Sequence, residues 1–188
     1  MKQSKIRRRL ESSLTDGRIA TVVRDDFELT MTDGFVVTLT DDWVVLHELA
    51  DGVHLDDLVM LRLSDVSRVW FRDDDPYHHR AINGLGSTVA TFECPPEAGL
   101  IDMLNAAAFK ADIFAIRMET LRDEPLAIGR LVKLGKKRLT LHFVGRDGVW
   151  APETERWRHR DITRIEVGGR YLDALNRFAD PYPAAEPA

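Results

Sequence analysis

One feature constrains this chain more than any other: it repeats itself. "GFVVTLTDDWVVLHEL", beginning at Gly34, falls on "GRLVKLGKKRLTLHFV", beginning at Gly129, at a spacing of 95 residues. The overlay sets Val36 on Leu131, Leu39 on Leu134, Val44 on Leu139, Leu46 on Leu141 and His47 on His142. One inserted residue then moves the spacing to 96, which lays "DVSRV" at 65–69 on "DITRI" at 161–165. Run backwards at 95, "RIATVVRD" from Arg18 meets "IFAIRMET" from Ile113, and "KIRRRLESSL" from Lys5 meets "LIDMLNAAAF" from Leu100. A duplication on this scale fixes the plan of a chain before any local reading does.

Within each copy the hydrophobic period identifies the elements. Leu139, Leu141 and Phe143 alternate with Arg138, Thr140 and His142, the period of two that gives a strand one apolar and one polar face. Ahead of the strands, Ile6, Leu10 and Leu14 in one copy, and Ile101, Leu104 and Phe109 in the other, recur at helical spacing, and "CPPEAG" at 94–99 reads as a linker into the second helix. Asp65 and Asp161 open short turns, where an aspartate oxygen accepts hydrogen bonds from amides two or three residues on. The expected fold is therefore mainly β with short helices (α+β): two tandem copies of an N-terminal helix followed by a five-stranded closed barrel. The first unit covers 1–93 and the second 94–178, where "YLDALNRF" forms an amphipathic C-terminal helix with Leu172, Leu175 and Phe178 on one side. Residues 179–188 form a flexible tail.

At this point the chain resembles the Sm-like and SH3-like small barrels, in the order helix, bent strands, tight turn, last strand. The stretch "RWRHRDITRI" at 156–165 is similar to the lysine-histidine segment with which the bacterial Sm-like RNA chaperone reads uridines. That likeness implies RNA binding, with Arg158 and His159 in the reading positions. It also implies assembly, since Sm-like units commonly join through open strand edges. The ending at 161–175 is similar to that of bacterial proteins sharing the pattern "DI..I..G.RY...L", a likeness that implies no activity.

Charge is shared unevenly. The whole chain is acidic, with a formal net charge of -5, which argues against nonspecific polyanion binding by the molecule as a whole. Between 126 and 170, however, eleven cations stand against five anions. The patch expected to meet a partner is Lys136, Lys137, Arg138, Trp150, Trp157, Arg158, His159 and Arg160. It reads first as a surface for a protein partner or for self-association, and second as an RNA site in which the tryptophans stack on bases.

Catalysis is the third reading. The chain contains no glycine-rich phosphate loop, serine elbow or His-x-x-x-His pair. Its single cysteine, Cys94, precedes two prolines and has no basic neighbour in sequence, so no disulfide and no cysteine-based zinc site are expected. Asp73 and Asp75 with His78 and His79 form the one constellation suited to a divalent metal, but a solvated turn around Pro76 is the preferred reading and no metal is expected. No cofactor is expected. The N-terminus lacks the apolar core of a signal peptide and no run is long enough to span a bilayer, so the expected location is the cytoplasm, away from membranes.

Overall fold

The computed structural model describes residues 2–27, 31–72, 76–121 and 126–183. The first half contains α1 (Gln3–Asp16), β1 (Ile19–Val23), β2 (Met31–Leu39), β3 (Trp43–Ala50), β4 (His54–Arg62), a 3-10 turn (Leu63–Asp65), β5 (Arg68–Phe71) and α2 (Pro76–Gly84). The second contains α3 (Leu100–Lys110), β6 (Phe114–Arg117), β7 (Leu126–Leu134), β8 (Arg138–Val144), β9 (Trp150–Arg158), a 3-10 turn (His159–Asp161), β10 (Arg164–Gly168) and α4 (Gly169–Phe178). The spacing of 95 carries β2 onto β7, and the spacing of 96 carries β4 onto β9 and one 3-10 turn onto the other.

The strands do not close into two barrels. All ten lie in one open antiparallel sheet in the order β5-β1-β2-β3-β4-β10-β6-β7-β8-β9, which corrects the expectation of tandem five-stranded closed barrels. The order runs twice through the same pattern and is joined where β4 pairs with β10, from Arg164 opposite Leu61 to Gly168 opposite Asp57. Strand β4 explains this seam. Its residues Leu58, Val59, Met60 and Leu61 are all buried, so it is apolar on both faces. Val59 and Leu61 join a core with Ile6 and Leu10 of α1, while Leu58 and Met60 join a second core with Met103 and Leu104 of α3. A strand that serves two cores must lie inside a sheet, because at an edge one of those faces would meet water. Alternation within a strand shows which face is buried but not which strand lies beside it, and so a closed barrel and a continuous sheet give the same pattern.

The second core crosses the seam. Trp43 and Val45 of β3 pack with Phe114, Ile116, Leu139, Leu141 and Ile165 of the other half. Ionic contacts cross it as well: the buried Arg164 donates to Glu166 at 2.5 Å and to Glu48 at 3.3 Å, and Glu166 also accepts from Arg117 at 2.7 Å. Two glycines at equivalent positions explain another element of the repeat. A β-carbon at Gly34 would run into the carbonyl of His47, and one at Gly129 into that of His142, so only glycine lets β2 and β7 approach their neighbours this closely.

The helices differ from expectation in detail. Ile6 and Leu10 are buried as the spacing predicts, but Leu14 is exposed. In α3 the buried side is Met103, Leu104 and Ala107, with Ile101 and Phe109 facing outward. On α4, Leu172 and Leu175 are buried and Phe178 is exposed. The segment from Pro76, read as a turn, is the helix α2. No helix among the described residues is long and apolar enough to cross a membrane.

Candidate functional site: a cation-lined cleft at the end of an edge strand

Strand β9 occupies the position of β4 in the repeat but has the opposite character. Where β4 has Leu58, Val59, Met60 and Leu61, β9 has Thr154, Glu155, Arg156 and Trp157. Thr154, Glu155 and Arg156 are exposed, and β9 pairs with β8 on one side only. It is therefore one of the two outer strands, with the polar surface that soluble proteins place on an open edge.

At the C-terminal end of β9 two chain reversals meet. The β7–β8 turn is closed by the Gly135 amide donating to the Arg138 carbonyl at 2.9 Å, and the His159 amide donates to the Lys137 carbonyl at 3.0 Å. The second bond docks the 3-10 turn on the hairpin and brings Lys136, Lys137, Arg138, Arg158, His159 and Arg160 around one cleft of about 380 Å³. A second depression of about 300 Å³ adjoins it, sharing Lys136–Arg138 and adding Lys133 and Arg156. Among the described residues no carboxylate lines either hollow. Among the described residues Lys136, Lys137, Arg138, Arg156 and Arg158 form no ion pair, and Arg160 meets only its neighbour Asp161, at 3.5 Å.

The register sharpens this concentration of charge, since Arg138 stands directly opposite Arg158 on the paired strands. Like charges so placed repel, at a cost of a few tenths of a kcal/mol to about 1 kcal/mol. The Nε2 of His159 is buried and has no hydrogen-bond partner among the described residues. Burial pushes its imidazole below the ordinary histidine range, against a hydrogen bond to the Arg138 backbone. His159 thus stands amid guanidinium and ammonium groups, whose chemistry suits carboxylate or phosphate oxygens.

Six of the eight residues expected in the patch thus line the cleft, and the two tryptophans stand outside it. Trp157 packs against the core shared by both halves. Trp150 lies at the far end of β9, where its indole donates to the Asp180 carbonyl at 2.8 Å and its ring meets Tyr182 edge-on and His142 at a tilt. Of the metal constellation, Asp73 and Asp75 lie outside the described residues; on α2, His78 packs beside Tyr77 and His79 packs beside Phe35. No group of three or more potential metal ligands occurs among the described residues.

A larger hollow, about 650 Å³, lies between the halves on the same side of the molecule. Asp41, Asp42, Trp43, Arg62, Leu63 and Ser64 form its first-half wall together with Gln3, Ser4 and Arg7 of α1, and Leu100, His159, Arg160 and Ile162 come from the second half. Its cations are already engaged: Arg62 with Asp65 at 2.8 Å, and Arg7 with Glu11 and Asp41. The contrast between the two hollows was available in the overlay, which sets Asp41 and Asp42 on Lys136 and Lys137. What the sequence concealed was that Lys133 and Arg156 belong to the same surface, because their meeting depends on the β7–β8–β9 register.

No protein-family model matches the chain, and neither a curated protein nor a solved structure does so.

Proposed function

We propose that this chain acts by binding rather than by catalysis, and that its partner is another protein taken along the outer edge of β9. The reading rests on one conjunction: an open strand edge that ends at a cleft lined by five cations and His159, with no carboxylate among the described residues that line it. An edge strand offers a row of unpaired amides and carbonyls to an incoming strand, and pairs of this kind derive affinity from the main chain and specificity from neighbouring side-chain sites. The cleft supplies such a site, suited to carboxylates on the partner. RNA is the second reading, favoured by the absence of any carboxylate from the cleft. Single-stranded RNA, however, is commonly held by stacking as well as by phosphate contacts, and both tryptophans near this surface are packed against protein.

A photo-reactive residue in place of the exposed Thr154 separates the two. Activated in the host cell, it should form an adduct with protein, and Lys136→Glu with Lys137→Glu should reduce that adduct. An adduct with RNA, together with filter binding of a mixed RNA pool by the monomer, would overturn the proposal.

A further inference from the structure

The protein partner in the preceding proposal has so far been left without identity. We infer that it is a second copy of this chain, joined head to tail with β5 of one copy beside β9 of the next. The inference rests on that proposal and deepens it.

The chain contains its own template for the contact. Inside the molecule, β4 of the first half pairs with β10 of the second. The repeat places β9 where β4 stands and β5 where β10 stands, and these are the two strands left on the outer edges of the sheet. Carrying the register of the seam across by 96 residues sets Arg68 opposite Trp157, Val69 opposite Arg156, Trp70 opposite Glu155, Phe71 opposite Thr154 and Arg72 opposite Glu153.

The chemistry agrees with the register. Residues at alternate positions share a face, so Arg68, Trp70 and Arg72 of one copy lie on the same face as Trp157, Glu155 and Glu153 of the next. Two arginines then meet two glutamates: Arg72 lies directly across from Glu153, and Glu155 lies diagonally between both arginines, within the range at which cross-strand pairs interact. Arg68 and Arg72 are held in the single chain by Asp25 and Asp33, across partly exposed contacts of 2.5 and 2.6 Å. Partly exposed pairs of that kind are weak and readily exchanged.

The cation-lined cleft fits the same geometry. Its six residues are the repeat equivalents of Asp41, Asp42, Trp43, Arg62, Leu63 and Ser64, which with residues of α1 make up one wall of the larger hollow at the internal seam. In that hollow the opposite wall comes from the neighbouring half, through His159, Arg160 and Ile162. The cleft is thus a hollow with one wall. At a junction between copies the missing wall is Leu63, Ser64 and Val66 of the next chain. Because β9 lacks the apolar residues of β4, this junction is held by charge where the internal seam is held by burial. A contact between different surfaces repeats until it closes on itself, giving a ring, or continues as a filament.

Light scattering on the purified full chain tests the inference. At low salt the mass should rise with concentration above the 21.4 kDa of one chain, and it should return to the monomer in about 1 M salt, where charges are screened beyond about 3 Å. Glu153→Arg with Glu155→Arg should leave a monomer, as should Arg68→Glu with Arg72→Glu. An equimolar mixture of the two variants should recover the larger mass, because each reversed edge then meets its complement. If Arg72→Glu disturbs the fold through Asp33, the single changes Glu155→Arg and Arg68→Glu, both at exposed positions, repeat the test. A wild-type chain that stays monomeric at every concentration, or charge reversals that leave the mass unchanged, would overturn the inference. The adduct formed from Thr154 distinguishes this failure from that of the broader proposal: a different protein in the adduct leaves partner binding standing and removes self-association.

Discussion

Arg24 and Glu119 occupy the same place in the two halves, 95 residues apart, and they meet in a two-pronged ion pair with N–O distances of 2.7 and 2.8 Å. Both side chains are buried, and Glu119 also accepts from the Thr163 hydroxyl at 2.6 Å. The repeat has therefore diverged to opposite charges where its copies touch, so that equivalent positions complement one another. The pair also fixes the ends of β1 and β6 across the sheet. Their parallel guanidinium and carboxylate planes form the geometry in which such a pair is strongest.

Removing either member alone should destabilise the fold by about 3–5 kcal/mol, because the survivor is left as an unpaired buried charge. Arg24→Met combined with Glu119→Leu should cost less than either single removal to alanine. Denaturant midpoints measured for the three variants check this. A single alanine variant as stable as the wild type would show that the pair is dispensable to the seam.

The duplicated aspartates of the 3-10 turns should behave differently from one another. Neither side chain caps the turn amides, as the sequence suggests, and each takes a neighbouring arginine instead. Asp65 accepts from Arg62 at 2.8 Å in a half-buried contact, whereas Asp161 stands 3.5 Å from Arg160, whose side chain is 74% exposed. Asp65→Ala should lower stability by about 1 kcal/mol, and Asp161→Ala by no more than a few tenths. Thermal melts of the two variants decide the point, and equal losses would restore a common capping role.

Asp57 should make the seam sensitive to pH. Burial pushes its carboxyl up to about 8, aided by the negative charges of Glu166, Asp56 and Glu48. A carboxyl whose folded value lies above its unfolded value retains in the folded state a proton that the unfolded state loses. Stability therefore falls as pH rises from about 4 to about 8, the window between the two values. Asp57→Asn abolishes the titration, so the advantage of the variant over wild type should grow across this window and be smallest at pH 4. Denaturation curves collected from pH 4 to 9 check the sign, and a difference independent of pH would refute the assignment.

The sequence by itself determined the repeated elements and their order, but not the helix α2, whose segment it presents as a turn. Period-two alternation located β8, helical spacing placed Ile6, Leu10 and Leu104 in the core, and the overlay at 95 and 96 residues matched strand to strand. These features are local, and a pattern of neighbours along the chain is sufficient to read them. The cationic cleft was legible for the same reason, since Lys136–Arg138 and Arg158–Arg160 are each contiguous. The tertiary structure alone decided what lies beside each strand. The same repeat position is a central strand at β4 and an edge at β9, a difference visible as Leu58–Leu61 against Thr154–Trp157 only once the neighbours are known. The overlay sets Arg24 on Glu119 without showing that they touch, and Glu48 and Arg164 have no relation along the chain; both pairings arise from the single sheet that joins the halves. Burial then sets their energetics, as it sets the proton on Asp57: a charge removed from water depends on its partners in space, and those are chosen by folding.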